Sequence, residues 1–557
     1  MAQNKGFDWQ YAVRAGLLAG LTIVYTGLIG MIAAFSERPI VTGVVTMGQL
    51  LIFAPAFLAG YVVVQRKRAE LELGRGLLAG AIVGLVTAIP PVVLTVFIAN
   101  VNIRTMFVNA SPELVNLLTL GRGLLVGSAM LAGLSLLLGV VGAALQYLPK
   151  LYRNAILAGL AWVFGVGLLA ELIIQILRNL FGNNAARIAF AQGALKPLWA
   201  GIVFVAAFAL YVLITPRRKA VSARYAALDT KQQNVAQVVG SAVLILTLFI
   251  LPSLVGTYLS EVLSNVGLYV LMALGLNIAV GLAGLLDLGY VTNFAVGAYV
   301  MGVLTSTGPL GRGEMNFWMV LPVSVLAAMF TGFVLALPVL RMRGDYLAIA
   351  TLGFGEIIRL LALSDWLAPY IGGAQGILFI PKPSFGPIIF DTPQKLYYII
   401  LAACFLVLFI SIRLNNSRTG RKWMAMREDE DAAGAMGIDT TVAKLLAFTL
   451  SAASGGLAGG IFAAKLGTIF PHSFSLLISI NVLAIIIVGG MGSIPGIVVG
   501  AFALIGLPEL LREFSEYRLL LYGILLIVMM LTRPEGLWPS AVRRRELHAE
   551  TEAVGAD

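Results

Sequence analysis

Residues 397–463 read YYIILAACFLVLFISIRLNNSRTGRKWMAMREDEDAAGAMGIDTTVAKLLAFTLSAASGGLAGGIFA. Two apolar segments, 397–413 and 441–463, flank a polar segment, 415–439, that carries both acidic and basic residues. Each apolar segment is long enough to cross roughly 30 Å of hydrocarbon as an α-helix, and in lipid a helix satisfies all of its own backbone hydrogen bonds. The stretch therefore predicts two membrane-spanning helices joined by a hydrophilic loop.

The same pattern of apolar segments and polar loops continues along the whole chain. Of the 557 residues, 59% are hydrophobic and 12% are charged, which is about half the charged fraction of a typical soluble protein. We therefore predict an all-α polytopic integral membrane protein in a lipid bilayer. The net charge of +11 comes from dispersed residues in short loops, a distribution typical of cytoplasmic loops, so nucleic acid is not a predicted partner.

About 16 apolar segments can be distinguished, six of them before residue 235 and about ten after it. The first six lie near 14–34, 40–64, 76–98, 123–147, 155–177 and 197–215. The others lie near 237–256, 261–284, 289–308, 317–340, 344–363, 397–413, 441–463, 477–489, 495–508 and 518–532. The segments at 477–489 and 495–508 are short for full spans, which indicates broken helices buried in protein.

Charge divides the chain into three parts. A basic linker at 215–235 ends a first membrane region, 1–235. The sequence indicates no role for this region, and a scaffold for assembly or lipid contacts is one hypothesis. A second membrane region covers 236–540, and a polar tail covers 541–557. In both halves Lys and Arg concentrate in the loops on one side, which predicts that the N- and C-termini are cytoplasmic.

The polar segment has the composition of a helical loop. Asn415–Thr419 can turn and cap a helix, and Arg421–Met436 is rich in good helix formers, with Gly434 and Gly437 at its end. One interpretation is a solvated amphipathic helix at the membrane surface. The favoured one is a helix that docks in a groove of a soluble partner, because so apolar a chain rarely keeps a charged loop of this length without one.

Motifs for catalysis are missing from the sequence. No G-x-x-x-x-G-K-[ST] segment, the loop that holds nucleotide phosphates, is present, so the chain is not predicted to hydrolyse ATP. His472 and His548 are too few and too far apart in sequence to suggest a metal cluster, and Cys404 is the only cysteine. We predict no catalytic residue, metal or cofactor in this chain.

Polar residues and glycines inside the apolar segments are candidates for the pathway or for helix packing. The polar candidates are Asn277, Asn293, Glu356 and Arg359, since polar groups at membrane depth are costly. Glu356 and Arg359 lie three residues apart and can form an ion pair. Gly489, Gly490, Gly492 and Pro495 break a helix between two short segments, either for close packing or beside a translocation path.

Four blocks of the second region resemble one transporter family. They are GLNIAVGLAGLLDLGYVTNFAVGAYV (275–300), RGDYLAIATLGFGEIIRLL (343–361), the polar segment with TTVAKLLAFTLSAASGGLAGGIFAAKLG (440–467), and SINVLAIIIVGGMGSIPGIVVGA (479–501). In sequence and order they resemble the branched-chain amino-acid family of ABC importer permeases, its M-type permease subunit in particular. The resemblance covers about residues 255–540.

The resemblance implies a membrane permease subunit that imports branched-chain or related amino acids across the cell inner (plasma) membrane. Two separate ABC ATPase subunits, which carry ATP and Mg, would grip a cytoplasmic coupling helix. A second, H-type permease would complete the pore, and an extracytoplasmic solute-binding protein would deliver the substrate. The coupling residues are Arg427, Glu428, Asp429, Glu430, Asp431, Ala432, Ala433, Gly434 and Gly437.

The outer loop at 364–396 departs from the family pattern. It reads IGGAQG at 371–376, where the family often has a TGG-P-N-G-type sequence. Gly372, Gly373, Gln375 and Gly376 are candidate contacts for the binding protein or the substrate. Two alternatives stay open: an ABC permease for urea or short amides, and a stand-alone secondary transporter, which would need ionisable coupling sites in the membrane.

Overall fold

The computed structural model describes residues 9–66, 72–226, 229–313, 315–340, 342, 344–510 and scattered residues between 517 and 539. The chain forms two compact units, Met1–Leu244 and Ile245–Asp557. The predicted segment at 518–532 lies largely outside the described residues, and the tail at 541–557 lies wholly outside them.

The first unit consists of helices with two small strand pairs. The helices are α1 Trp9–Leu28, α2 Met31–Ala34, α3 Met47–Arg66, α4 Leu73–Asn100, α5 Pro112–Leu118, α6 Leu124–Leu145, α7 Lys150–Leu168, α8 Ala170–Phe181, α9 Asn183–Ala189 and α10 Pro197–Ala226. The strands are β1 Pro39–Val41, β2 Val45–Thr46, β3 Phe190–Ala191 and β4 Ala194–Leu195. They form one sheet in the order β2-β1-β4-β3, in which β1 and β4 pair in parallel through Val41 and Leu195.

Glycines hold the long helices of the first unit close together. A Cβ atom on Gly60 of α3 would lie 2.3 Å from the carbonyl oxygen of Gly139 in α6, and a Cβ on Gly84 of α4 would lie 2.3 Å from that of Ser135. Such approaches admit no side chain. In lipid they maximise van der Waals contact, which drives helix association there in place of the hydrophobic effect.

The second unit is also helical and contains several interruptions. Its helices are α11 Thr230–Asn277, which begins before the boundary between the units, α12 Tyr290–Thr305, α13 Phe317–Val339, α14 Asp345–Leu363, α15 Ala368–Ile371, α16 Pro393–Asn415, α17 Arg418–Glu428, α18 Glu430–Ala435, α19 Thr440–Leu466, α20 Leu476–Gly489, α21 Ile494–Ala501 and α22 Leu507–Leu510. π-Helical turns lie at Ile278–Leu282 and Phe502–Gly506, and 3₁₀ turns at Gly373–Gln375 and Pro471–Phe474. Strands β5 Ser384–Phe385 and β6 Ile388–Ile389 form a hairpin in the outer loop.

Helix α19 lies at the centre of the second unit, between α12 and α13. A Cβ on Gly297 of α12 would lie 2.3 Å from the carbonyl oxygen of Gly456, and one on Gly459 would lie 2.0 Å from that of Phe294. These close approaches allow α19 to be buried on several sides. Apolar side chains from α11, α12, α19 and α20 complete the core.

The structure confirms the predicted class, an all-α polytopic membrane protein. Among the described residues, twelve helices are long and apolar enough to cross a membrane, and two shorter apolar helices cover Tyr290–Thr305 and Ile494–Leu510. The total of 16 spans stays a prediction. Helix α11 covers two predicted segments and is broken at Gly256, where φ is 80°.

The structure adds detail to two of the predicted segments. The basic linker at 215–235 is helical where it is described, since α10 continues to Ala226 and α11 begins at Thr230. Its Ala, Arg and Lys residues are good helix formers. The segment predicted at 155–177 is interrupted at Leu169, between α7 and α8.

Candidate functional site

The polar loop after α16 folds as two helices instead of the single helix predicted over Arg421–Met436. The Ser417 hydroxyl caps α17 by accepting the N–H of Gly420 at 3.0 Å. Asp429 ends α17 in an extended conformation, and its Oδ1 accepts the N–H groups of Asp431 and Ala432, both at 2.9 Å. An aspartate at an N-cap satisfies N–H groups that a helix leaves unpaired, so a new helix, α18, starts there.

A buried tryptophan attaches this loop to the membrane helices. Trp423 is 0% exposed, and its Nε1 donates to the carbonyl oxygen of Ala443 in α19 at 2.8 Å. Met426 and Ala433 are also buried, in one apolar cluster with residues of the Ile278–Leu282 turn and α13. The loop is therefore a packed part of the second unit.

An ion pair and a hydrogen bond fix the inner side of the loop. Lys444 of α19, whose side chain is 3% exposed, pairs with Glu430 at 2.7 Å. Arg427 pairs with Glu428 at 2.7 Å, and its Nη1 donates to the carbonyl oxygen of Gly281 at 2.9 Å. A cavity of about 190 Å³ lies beside them, lined in part by Gly284, Gly344, Leu347 and Met426.

The coupling residues predicted from the sequence fall on two sides of the loop. Arg427, Glu430 and Ala433 lie on the side that packs against the membrane helices. Whether any of the nine residues contacts a partner stays a prediction. The outer surface, which we call the loop face, contains the exposed residues Glu428, Asp429, Asp431, Ala432, Gly434, Met436 and Gly437. Met436, at 83% exposed, was not among the predicted residues, although an exposed Met in an otherwise polar helix is a signal for a contact.

The predicted helix break lies between α20 and α21. Gly490 and Gly492 have φ values of 116° and 75°, which only glycine adopts readily. Pro495 lies in the first turn of α21, and a Cβ on Gly489 would lie 2.3 Å from the carbonyl oxygen of Gly496. The sequence pattern therefore reflects both a change of chain direction and a close approach.

Asn277 is brought to this break from a distant part of the chain. It is buried at the start of the Ile278–Leu282 turn, and its Oδ1 accepts the N–H of Gly492 at 3.0 Å. The side-chain amide thus satisfies a backbone donor that the broken helix leaves unpaired. Two groups of candidates, predicted separately, form one contact.

The other polar candidates form separate contacts. Glu356 and Arg359 pair within α14, where Arg359 Nε donates to both carboxylate oxygens at 3.0 Å. Arg359 also borders a narrow crevice with Thr292 and Tyr299 of α12. Asn293 is buried, and its Oδ1 has no hydrogen-bond partner in the part of the chain that the structure describes. Whether these residues line a pathway stays a prediction.

In the outer loop, the glycines have backbone roles. Gly372, Gly373 and Gly376 have φ values of 84°, 51° and 66°. A Cβ on Gly376 would lie 2.1 Å from the carbonyl oxygen of Ile469, because Ile377 pairs with Ile469 as an isolated bridge. Of the four predicted contacts, Gln375 carries an exposed side chain.

A charged cluster at the end of α19 was missed by the sequence analysis. Lys465, whose side chain is 5% exposed, pairs with Glu261 of α11 at 2.8 Å and hydrogen-bonds to Asn265. Lys382 of the outer loop donates to the carbonyl oxygen of Lys465, and burial lowers the pKa of Lys382. The sequence did contain a signal for this cluster, since Glu261 and Lys465 carry opposite charges and lie at the predicted outer ends of two apolar segments.

Comparisons with known proteins agree on the second unit. A model of the family described as "Branched-chain amino acid transport system / permease component" matches residues 258–530. The chain is 42% identical over 295 residues to the high-affinity branched-chain amino acid transport system permease protein LivM of Salmonella typhimurium, and equally to that of Escherichia coli; each match covers 49% of this chain and 68% of the relative.

A second type of relative matches a similar share of the chain. The permease protein LivH of the Salmonella typhimurium high-affinity branched-chain amino acid transport system is 25% identical over 290 residues, which cover 48% of this chain and 90% of the relative. No solved structure matches the chain.

Proposed function

Since the chain belongs to the family of branched-chain amino acid permease components, we propose that it is the membrane permease subunit of an ABC importer for branched-chain or related amino acids. ATP hydrolysis occurs on separate ATPase subunits in this proposal, with ATP and Mg bound there. Their closure on the loop face moves the membrane helices around the substrate pathway.

The single observation that carries the proposal is the folded polar loop. Trp423 and the Lys444–Glu430 ion pair fix its inner side to α19, while the loop face exposes acidic residues and Met436. An exposed helix with a rigid inner attachment is suited to dock in a groove of a partner and to transmit force. This arrangement supports docking of a soluble ATPase subunit on the loop face; that there are two such subunits is proposed from the family resemblance.

The remaining partners are proposed from the relatives. Both LivM and LivH are described as permease proteins of a branched-chain amino acid transport system, which supports a pore built with a second, H-type permease. An extracytoplasmic solute-binding protein delivers the amino acid to the outer loop, where Gln375 is exposed. The location is the inner (plasma) membrane, with both termini in the cytoplasm.

The test replaces residues 428–437 by a Gly/Ser linker of equal length in the full chain, expressed with its ATPase subunits, second permease and binding protein. We expect the ATPase subunits to be lost on purification and the import of radiolabelled leucine to stop. The control replaces the outer hairpin, 384–389, by the same kind of linker, and should retain the ATPase subunits.

Three results would contradict the proposal. Leucine import that survives without the 428–437 segment would support a stand-alone secondary transporter. Import of radiolabelled urea or acetamide in place of leucine would support the permease for short amides. Retention of the ATPase subunits by the variant would place their docking site elsewhere.

A further inference from the structure

Four residues from three parts of the second unit meet at the π-helical turn Ile278–Leu282. Arg427 of α17 donates from Nη1 to the carbonyl oxygen of Gly281 at 2.9 Å, and Asn277 accepts the N–H of Gly492 at 3.0 Å. A Cβ on Gly492 would lie 3.5 Å from the Gly281 carbonyl oxygen and 3.9 Å from Arg427 Nη1. The two hydrogen bonds therefore lie side by side, and we call these four residues the turn cluster.

Gly281 connects the two hydrogen bonds. A Cβ at this position would lie 2.0 Å from Asn277 Oδ1 and 2.9 Å from the backbone nitrogen of Gly492, so a side chain would displace the Asn277–Gly492 bond. The carbonyl group of the same residue is buried near the end of a helix, where carbonyl groups lack intrahelical partners. Arg427 supplies a charged donor to it, and such hydrogen bonds are stronger than neutral ones.

We propose that Arg427 and Asn277 are positioning residues that tie the cytoplasmic loop to the helix break at Gly490–Gly492, so that a movement of the loop displaces the break. This inference rests on the proposed function, because ATPase subunits on the loop face must move the loop. It assigns Arg427 to transmission within this chain rather than to contact with those subunits.

The Arg427–Gly281 and Asn277–Gly492 hydrogen bonds connect the loop to the break because either would be costly to lose. If the loop slid past the turn, the buried Gly281 carbonyl would lose its donor, and an unpaired buried polar group is strongly disfavoured. If the turn moved alone, the N–H of Gly492 would lose Asn277 in the same way. The loop, the turn and the break therefore move together.

The loop, the Ile278–Leu282 turn and the glycine break each have space or backbone geometry that allows movement. The cavity of about 190 Å³ beside Arg427 separates the loop from the start of α14. The Ile278–Leu282 turn is π-helical, a geometry that often marks functional sites. Gly490 and Gly492 have positive φ values, and positions of this kind absorb large backbone changes in hinges.

The experiment measures leucine import and ATP hydrolysis in the same proteoliposomes, with the full complex and radiolabelled leucine as the probe. The variants are Arg427→Ala, Asn277→Ala and the double variant. Arg421→Ala is the matched control, since Arg421 is exposed on the same helix. Asn277→Asp keeps the oxygen that accepts from Gly492 and serves as the conservative variant.

We expect both single variants to retain the ATPase subunits and at least about half of the ATP hydrolysis, and to import about tenfold less leucine per ATP hydrolysed. The double variant should be no worse than the worse single variant, because residues in one network have non-additive effects. Arg421→Ala should match the wild type, and Asn277→Asp should recover most of the import per ATP.

Three results would overturn the tie. Either single variant could import as much leucine per ATP as the wild type, or the double variant could lose the sum of the two single losses. The third is a loss of import that is fully explained by a smaller amount of bound ATPase subunits. If Arg427→Ala does not assemble, Asn277→Ala decides alone, since it leaves the loop unaltered. A wild-type complex that lacks ATPase subunits, or imports no leucine, would refute the proposed function itself and remove the tie with it.

Discussion

Helices approach one another through glycines in both compact units, but the two units differ in what interrupts those helices. Gly60 meets Gly139 in the first unit, and Gly297 meets Gly456 in the second. In each pair a Cβ on the first glycine would lie 2.3 Å from the carbonyl oxygen of the other. The second unit adds π-helical turns, a glycine break between α20 and α21, and a charged loop packed against the Ile278–Leu282 turn.

The comparison separates the close packing of helices from the transmission of a movement between the loop and the helix break. Close glycine contacts in lipid depend on van der Waals contact and specify a stable bundle, which both units achieve. Breaks inside helices leave backbone groups unpaired, and those groups need partners from elsewhere in the chain. In the first unit Arg38 supplies such a partner, since it donates to the carbonyl oxygen of Leu168 beside the interruption at Leu169. In the second unit Arg427 and Asn277 supply them, and there the contacts join the charged loop, the π-helical turn and the glycine break.

The largest expected effect comes from detaching the loop of the second unit. Trp423→Ala removes a fully buried indole and its hydrogen bond to Ala443, a change that costs roughly 3–5 kcal/mol. We expect leucine import to fall to less than about a tenth of wild type, while the protein still inserts in the membrane. Uptake in vesicles, normalised to inserted protein, measures this.

The exposed neighbour Lys422 provides the control for that substitution, and Lys422→Ala should leave uptake unchanged. Trp423→Phe keeps one aromatic ring but loses the hydrogen bond and part of the buried volume of the indole, so its effect should be intermediate. Normal uptake by Trp423→Ala would mean that the attachment of the loop is irrelevant to transport.

A matched pair of glycine substitutions tests whether transport depends on the second unit alone. Gly297→Ile and Gly60→Ile introduce the same clash with a carbonyl oxygen, and overpacking of this kind costs about 1–3 kcal/mol. We expect Gly297→Ile to lower leucine uptake about tenfold and Gly60→Ile to leave it within about twofold, at equal overpacking cost.

Limited proteolysis of both glycine variants shows whether each clash loosens the unit in which it lies, because a loosened unit is cleaved faster. If Gly60→Ile stops uptake as strongly as Gly297→Ile, with normal insertion, the first unit is part of the transport machinery. The expectation that transport depends on the second unit alone would then be wrong.

A smaller effect is expected at the loop face. Met436→Ala removes the most protruding apolar side chain there, and truncating an interface anchor often costs about 1–2 kcal/mol. ATPase subunits should therefore bind the permease about five- to tenfold more weakly, by the same principle. Titration of purified ATPase subunits against the permease in detergent measures the affinity.

Met106 of the first unit, 78% exposed, is the matched control for Met436. Met106→Ala should not alter ATPase binding. Equal effects of the two substitutions would show that surface hydrophobicity in general, rather than the loop face, determines the affinity.

The smallest effect is expected from the ion pair on α14. Glu356→Gln removes the charge that pairs with Arg359, but glutamine keeps a side-chain oxygen that can accept from Arg359 Nε. The pair lies three residues apart within one helix, where such pairs contribute little, so leucine uptake should stay within about twofold of wild type. A tenfold or larger loss, with normal ATP hydrolysis, would instead assign the pair to the substrate pathway and enlarge the functional part of the second unit.

Local features of the sequence predicted much of the fold. The break at Gly489–Gly492 was predicted because Gly and Pro act on their own backbone. The single helix over Arg421–Met436 was wrong because Asp429 competes for N–H groups as an N-cap, which composition alone does not reveal.

Contacts between distant residues were beyond the sequence. Arg427 and Gly281 lie 146 positions apart, Asn277 and Gly492 lie 215 apart, and Lys465 and Asn265 lie 200 apart. The family resemblance implied that Arg427 belongs to the coupling helix, and it gave no contact for this side chain within the chain. The structure places its guanidinium against a buried carbonyl group.

Hydrophobic length, charge and family blocks are properties of continuous segments, so they were enough to identify a helical membrane permease with a charged loop after α16. The side of that loop that packs against the membrane helices, and the buried amide that pairs with the helix break, became known from the fold. Both depend on pairing backbone groups that lipid cannot solvate, and the partners come from wherever the fold brings them.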